Sequence, residues 1–132
     1  EIDNLRNSHI KDGVAMVKFL IWLDANLGKE DITEITVDEK LKEFRKQQEL
    51  NLGLSFDTIA AYKEHAAMMH YKAVPGTEYT LEKEGMLLID SGGQYLDGTT
   101  DMTRTIVMGK LTEEQRKDFT LVLKAHIGLA TA

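Results

Sequence analysis

The residues best equipped for chemistry lie in one stretch, Ile89-Asp90-Ser91-Gly92-Gly93-Gln94-Tyr95-Leu96-Asp97-Gly98-Thr99-Thr100-Asp101-Met102-Thr103-Arg104-Thr105. Asp90 directly follows the apolar run Met86-Leu87-Leu88-Ile89, which reads as a buried strand, where an unpaired carboxylate is costly. Thr103 to Met108 alternates around Thr, Ile and Val like a second strand, and Asp97-Gly98 between the runs is a hairpin signal. With the turn at Asp97-Gly98, Leu96 faces Thr99, Asp90 faces Thr105, and Asp101 shares the face of Asp90. Asp101 lies four residues before Thr105, which is about 13 Å at strand rise, so the ladder must bulge or tighten before both aspartates serve one site. Gly92-Gly93 is a place for that. Two carboxylates brought together repel each other, and a shared proton or a hard cation such as Mg, Mn or Ca relieves them. The plainer alternative is that they are polar residues flanking a turn, as Asp97 is.

His70, in Met68-Met69-His70-Tyr71, is the histidine most exposed to a chemical reading, against the alternative of a packed or surface residue. His9, His65 and His126 each fall in a helix or a polar loop without a second ligand at binding spacing.

The elements that must position these groups can be read from periodicity. Ile10, Val14, Val17 and Ile21 step by four, three and four, and Leu20, Leu23 and Leu27 widen the stripe, predicting an amphipathic helix from Ile2 to about Leu27 with Gly28 as its stop. Thr36 and Glu39 form a capping-box pattern for a second helix running to about Leu50, whose charges from Asp38 to Glu49 read as a solvated face. Phe56 to Tyr62 and Met68 to Tyr71 are strand-like, separated by a polar Lys63-Glu64-His65, and Pro75-Gly76 marks a turn. Thr112 with Gln115 caps a last helix, with Phe119, Val122, Leu123 and Ile127 on its inner face. Helices segregated from an antiparallel sheet make an α+β fold.

Composition narrows the function further. The 132 residues are 42% hydrophobic and 29% charged, a globular balance with enough chain to bury a core. The 22 acidic residues against 16 basic ones repel a phosphate backbone, which disfavours nucleic acid as a partner. The absence of cysteine excludes disulfides and thiolate metal sites and fits a reducing compartment. Phe19-Leu20-Ile21-Trp22-Leu23, the longest apolar run, is too short to span a bilayer. Glu1 already lies in a helical pattern and Ala132 ends another without a stop signal, so the sequence is expected to continue at both ends.

The run Leu88-Ile89-Asp90-Ser91-Gly92, then Tyr95, Asp97-Gly98-Thr99-Thr100-Asp101 and Thr103-Arg104-Thr105, closely resembles the metal-binding hairpin of the pita-bread metallopeptidases, in particular their aminopeptidase P branch. Leu5-Arg6, His9-Ile10-Lys11-Asp12, Trp22-Leu23, Thr33-Glu34-Ile35, Glu43-Phe44-Arg45, Leu54 to Ile59 and Lys124 to Ile127 resemble the cytosolic three-domain Xaa-Pro aminopeptidases in order and spacing. The resemblance implies a partial pita-bread fold, with residues 1–132 the first half of a catalytic domain. It implies a metal-dependent hydrolase that removes the residue before a proline, taking peptides with proline at the second position, in a cytoplasmic, homodimeric parent with no membrane attachment. It gives Asp90 and Asp101 as ligands of two divalent ions, usually manganese, with a histidine and two glutamates expected after Ala132. Such a pair of ions lowers the pKa of water and stabilises charge developing on a peptide carbonyl. His70 corresponds to the catalytic histidine that lines the substrate pocket near the scissile bond, Tyr71 belongs to the same motif, and Thr103 could orient the Asp101 carboxylate by a hydrogen bond. The sequence departs from that pattern at Tyr62-Lys63-Glu64-His65-Ala66, where relatives are richer in glycine, and at Lys72-Ala73, where they often carry Ala-Pro. By itself the stretch 1–132 is expected to be inactive. A prolidase acting on dipeptides and a non-enzymatic pita-bread binding module are the alternatives, while creatinase-like hydrolases lack the aspartates retained here.

Overall fold

A computed structural model describes residues 1–132. Two long helices come first, α1 (Ile2–Asn26) and α2 (Glu34–Lys46), followed by six short strands and a last helix, α3 (Glu113–Ala130). The strands are β1 (Asn51–Leu54), β2 (Ile59–Tyr62), β3 (Met86–Ser91), β4 (Gly93–Tyr95), β5 (Gly98–Thr99) and β6 (Met102–Val107), with a 3-10 turn at Lys63–Ala67. All pairings are antiparallel, in the orders β1-β4-β5 and β2-β3-β6. Only Gly92 separates β3 from β4, and only Thr100-Asp101 separates β5 from β6, so the two sheets are the two ends of one bent hairpin with an outer strand laid along each half.

Helices α1 and α2 cover one face of this sheet. Met16, Phe19, Leu23, Val37 and Leu41 pack on Ala60, Tyr62, Leu87 and Ile89 in a single core. Along β3 burial alternates, with Leu87, Ile89 and Ser91 facing the helices and Met86, Leu88 and Asp90 turned to the opposite, open face. The run Met86–Ile89 is therefore half-buried by alternation and not enclosed throughout.

Several local expectations are corrected. The buried side of α1 is Ser8, Asp12, Ala15, Met16, Phe19 and Leu23, while Ile10, Val14, Val17 and Ile21 face outward. The helix carries apolar residues on two sides, and the side that packs is the one containing a buried ionic group, which periodicity alone ranks second. Helix α2 begins at Glu34 and not near Thr36, because the side chain of Thr33 accepts from Thr36 N at 3.2 Å and is the cap. It ends at Lys46, before a turn in which Leu50 takes a positive φ of 62°. Strand structure is confined to Ile59–Tyr62 within the segment 56–62, is absent at 68–71, and appears instead at Asn51–Leu54, where the backbone finds β4 as a partner. Lys63-Glu64-His65 is wound into the 3-10 turn. The capping box of α3 forms as expected, Gln115 N bonding Thr112 Oγ1 at 3.1 Å and Thr112 N bonding Gln115 Oε1 at 2.9 Å. Its apolar face does not close: Phe119, Val122, Leu123 and Ile127 are all exposed. No helix is long and apolar enough to cross a membrane.

Candidate metal centre

The hairpin register decides how far apart the two aspartates lie. Strand β3 pairs with β6 as Asp90 to Thr103 and Ser91 to Met102, and β4 pairs with β5 as Gln94 to Thr99 and Tyr95 to Gly98. The turn is therefore Leu96-Asp97 and not Asp97-Gly98, and the ladder is shifted by two residues from the expected one. A shift of two preserves the face of every side chain. It also makes Asp90 and Asp101 diagonal neighbours, a separation of about 7–8 Å between strands instead of about 13 Å along one. No bulge is needed.

The turn so placed is anchored on α1. Lys11 Nζ bonds both carboxylate oxygens of Asp97 at 2.7 and 2.8 Å, holding the turn against the helix. A Cβ on Gly98 would lie 2.4 Å from Ser8 Oγ, so this glycine is required by the close approach of the helix.

Thr103 Oγ1 donates to Asp90 Oδ1 at 2.9 Å, across the strand pair. The threonine thus orients Asp90 and not Asp101, because directly opposite residues on an antiparallel pair are closer than residues two apart on one strand. Asp90 is half-buried, and Asp101 is exposed. Between them the strands are stitched tightly: Gly93 N bonds Thr100 Oγ1 at 2.8 Å, Thr100 N bonds Gly93 O at 2.9 Å, and Ser55 Oγ bonds Thr100 O at 2.8 Å. A Cβ on Gly92 would lie 2.0 Å from Thr100 O, so no other residue fits between the two aspartates without spreading the hairpin.

Behind Asp90, on the helix side of the sheet, sits a buried ionic group. Asp12 accepts from Arg45 Nε at 2.6 Å, Arg45 Nη2 at 3.1 Å and Tyr95 Oη at 3.1 Å, and Arg45 Nη2 also donates to Ser91 Oγ at 3.0 Å. Asp12 and Ser91 are fully buried and Arg45 and Tyr95 are 1% exposed. Burial and then the Asp12 carboxylate hold the Tyr95 hydroxyl above its ordinary pKa of 10.0. This group ties α1, α2, β3 and β4 together directly under Asp90. The charges of α2 read from sequence as a solvated face, yet Arg45 follows Val37 and Leu41 at steps of four and shares their buried stripe.

His70 is exposed, in a turn after the 3-10 segment, with a left-handed φ of 57°. Tyr71 is buried and its hydroxyl donates to Glu34 Oε2 at 2.8 Å. Burial, followed by that bond, raises its pKa above the ordinary value. Glu34 is not among the site residues expected from sequence; its local signals are a carboxylate directly after a capping threonine and a place three residues before Val37 on the buried stripe of α2.

What the arrangement can hold follows from its donor set. Asp90 and Asp101 offer carboxylate oxygens alone, which suit a hard divalent cation. Asp90 keeps one oxygen outside its bond to Thr103, and both groups face the open side of the sheet by alternation. The fit is partial: nowhere does this chain bring together three or more His, Asp or Glu side chains able to hold a metal ion.

The profile of metallopeptidase family M24 matches residues 3–132. The chain belongs to that family. It is similar to the probable Xaa-Pro aminopeptidase P of Chaetomium globosum, at 45% identity over 100% of this chain and 22% of that protein. It is likewise similar to Xaa-Pro aminopeptidase 1 of Dictyostelium discoideum, at 45% identity over 98% of this chain and 21% of that one. Among solved structures it resembles X-prolyl aminopeptidase of Caenorhabditis elegans, described as a cytosolic enzyme with a di-nuclear active site, with a TM-score of 0.80 and 39% identity over 86% of this chain and 19% of that chain. It also resembles a Xaa-Pro dipeptidase from Bacillus anthracis, with a TM-score of 0.80 and 26% identity over 96% of this chain and 33% of that chain. This M24 chain spans about a fifth of the length of the curated relatives it matches. Its helices packed on a bent antiparallel sheet are part of the pita-bread fold.

Proposed function

We propose that residues 1–132 are the first half of the catalytic domain of a metal-dependent aminopeptidase that hydrolyses the bond between an N-terminal residue and a following proline. The observation that carries this reading is the diagonal pair Asp90 and Asp101, set on the open sheet face by a hairpin whose turn is anchored on α1. Asp90 and Asp101 act as ligands to two divalent ions, manganese in this reading. When bound, such ions activate water and stabilise charge on the scissile carbonyl. Thr103 holds one oxygen of Asp90, which leaves the other to the cation. His70, exposed at its turn, hydrogen-bonds the substrate near the scissile bond, and Tyr71 fixes the same turn from beneath. The remaining ligands, a histidine and two glutamates, come from sequence beyond this chain, so residues 1–132 alone bind metal weakly and hydrolyse nothing. A cytoplasmic, homodimeric parent completes the reading, supported by the cytosolic description of the nematode enzyme.

The parent protein with added manganese should release the first residue from an Xaa-Pro-Xaa peptide, and Asp90→Ala or Asp101→Ala should abolish that release. Activity that survives either change sinks the assignment. The likeness to a Xaa-Pro dipeptidase supports a second reading, prolidase activity, and comparing Xaa-Pro with Xaa-Pro-Xaa substrates separates the two. A binding module without catalysis would carry no metal on elemental analysis.

A further inference from the structure

Glu34, the first residue of α2, is fully buried and accepts from four groups. Tyr62 N lies at 2.7 Å and His65 Nδ1 at 2.9 Å from Oε1, and the Tyr71 hydroxyl at 2.8 Å and Tyr79 N at 2.9 Å from Oε2. A carboxylate facing Nδ1 only accepts, so His65 carries a proton on that nitrogen. The His65 ring lies between the Tyr71 ring, 4.4 Å away, and the Tyr79 ring, 3.8 Å away, both stacked. These donors are too many and too well enclosed for a fortuitous group, since a buried carboxylate is stable only when its oxygens are met.

The chain between two of these donors carries His70. From His65 it passes Met68, whose N bonds His65 O at 3.1 Å, and returns at Tyr71, whose N bonds Met68 O at 3.2 Å. Between them His70 holds a left-handed φ of 57° with its side chain outside. A non-glycine residue in that region is strained and persists only where its surroundings over-determine it. The surroundings here are the two ends of the turn, both bonded to Glu34.

We infer that Glu34 is a positioning residue for His70: the carboxylate, through His65 and Tyr71, holds the 65–71 turn in the conformation that presents the His70 imidazole. This rests on the substrate-facing role proposed for His70 above. A positional error of about 1 Å in such a group costs up to about 100-fold in rate. Glu34→Gln keeps the volume but replaces one acceptor oxygen with an N–H that opposes donors already present.

The test uses the full-length protein with manganese and an Xaa-Pro-Xaa peptide. Glu34→Gln should lower kcat/KM by about 10- to 100-fold beside native His70 and by less than about twofold in a His70→Ala background, since the two changes act through one group. Equal losses in both backgrounds mean a general structural role and overturn the inference. If Glu34→Gln fails to fold, Tyr71→Phe, which deletes one donor and keeps the stacked ring, replaces it in the same cycle. A crystal structure of the variant supplies a readout besides activity: His70 should leave the left-handed region, and an unchanged turn overturns the inference. If the unaltered protein hydrolyses no Xaa-Pro bond, the function proposed above fails, and the crystal structure still decides whether Glu34 sets the turn.

Discussion

The two faces of the central hairpin treat their carboxylates in opposite ways. On the helix side Asp12 is fully buried and met by three donors, and Glu34, at the start of α2, is met by four. On the open side Asp90 has one donor, from Thr103, and Asp101 is exposed. Asp90 is the neighbour in β3 of Ser91, whose hydroxyl is bonded to the Asp12 partner Arg45, so the difference lies in what faces each group. A carboxylate whose oxygens are all taken by protein donors is part of the scaffold, and it has nothing left to offer a cation. One left with free oxygens on a shared face, next to a second like it, is poised to bind one. Acid content alone does not separate the two, and counting donors does.

The two faces should differ most when one acid is changed on each side. Asp12→Ala leaves Arg45 as an uncompensated buried charge and should destabilise the protein by about 3–5 kcal/mol, measured by denaturant unfolding. Replacing both partners, Asp12→Leu with Arg45→Met, should recover only part of that loss: it removes the buried charge but leaves the buried Tyr95 and Ser91 hydroxyls without their partners. Asp90→Ala should cost only about 0.5–1.5 kcal/mol without metal, the worth of its one hydrogen bond from Thr103 at a half-buried position, while removing activity. If the two aspartates cost the same, the contrast between the faces is false.

Next in size is the joint between the faces. Gly92→Ala sets a methyl 2.0 Å from Thr100 O, a backbone atom that cannot rotate away. The expected loss is about 1–3 kcal/mol, together with weakened manganese binding, because the strands must part between Asp90 and Asp101. Calorimetry and a manganese titration of the full-length protein read the two effects. Thr103→Val tests the open side more gently: it keeps shape and removes the hydroxyl that holds Asp90. Manganese affinity should fall about 10- to 100-fold, with little change in melting temperature.

Much of this was legible in the sequence, and the exceptions have a common cause. The long helices, the capping box at Thr112, the strand Met86–Ser91 and the hairpin itself follow from local periodicity and local turn chemistry. The register of the hairpin does not, because the contacts that hold the Leu96-Asp97 turn come from far along the chain, from Lys11, 86 positions away, and from Leu50. The packed face of α1 was misread because Asp12 looks like a surface residue until Arg45, 33 positions on, is placed beside it. Glu34 shares a buried stripe with Val37 and Leu41, but its role does not follow from that, because its donors are spread over Tyr62, His65, Tyr71 and Tyr79 and no local pattern joins them to it. Of the candidate residues, the open-face aspartates stand out by the resemblance of their hairpin to a known motif, spacing alone leaving them as polar turn residues, whereas the groups behind them are not singled out as site residues at all.

The smallest effect concerns pH and sharpens the description of the helix side. The Tyr95 hydroxyl, 1% exposed and bonded to Asp12, is held above its ordinary pKa of 10.0 by burial and by the adjacent negative charge. The neutral form is therefore favoured in the fold. Stability from this group is fully present below the unfolded value and declines as pH rises above about 10, where the unfolded chain releases the proton and the folded one retains it. The advantage of the native protein over Tyr95→Phe should be constant from pH 7 to 9 and then shrink by at most about 1.4 kcal/mol per pH unit. Melting temperatures of both proteins between pH 7 and 11 measure it. A constant difference across that range would mean that the Tyr95 hydroxyl is wetter than its place beneath Asp90 suggests, and that the closed face is less closed than its donors imply.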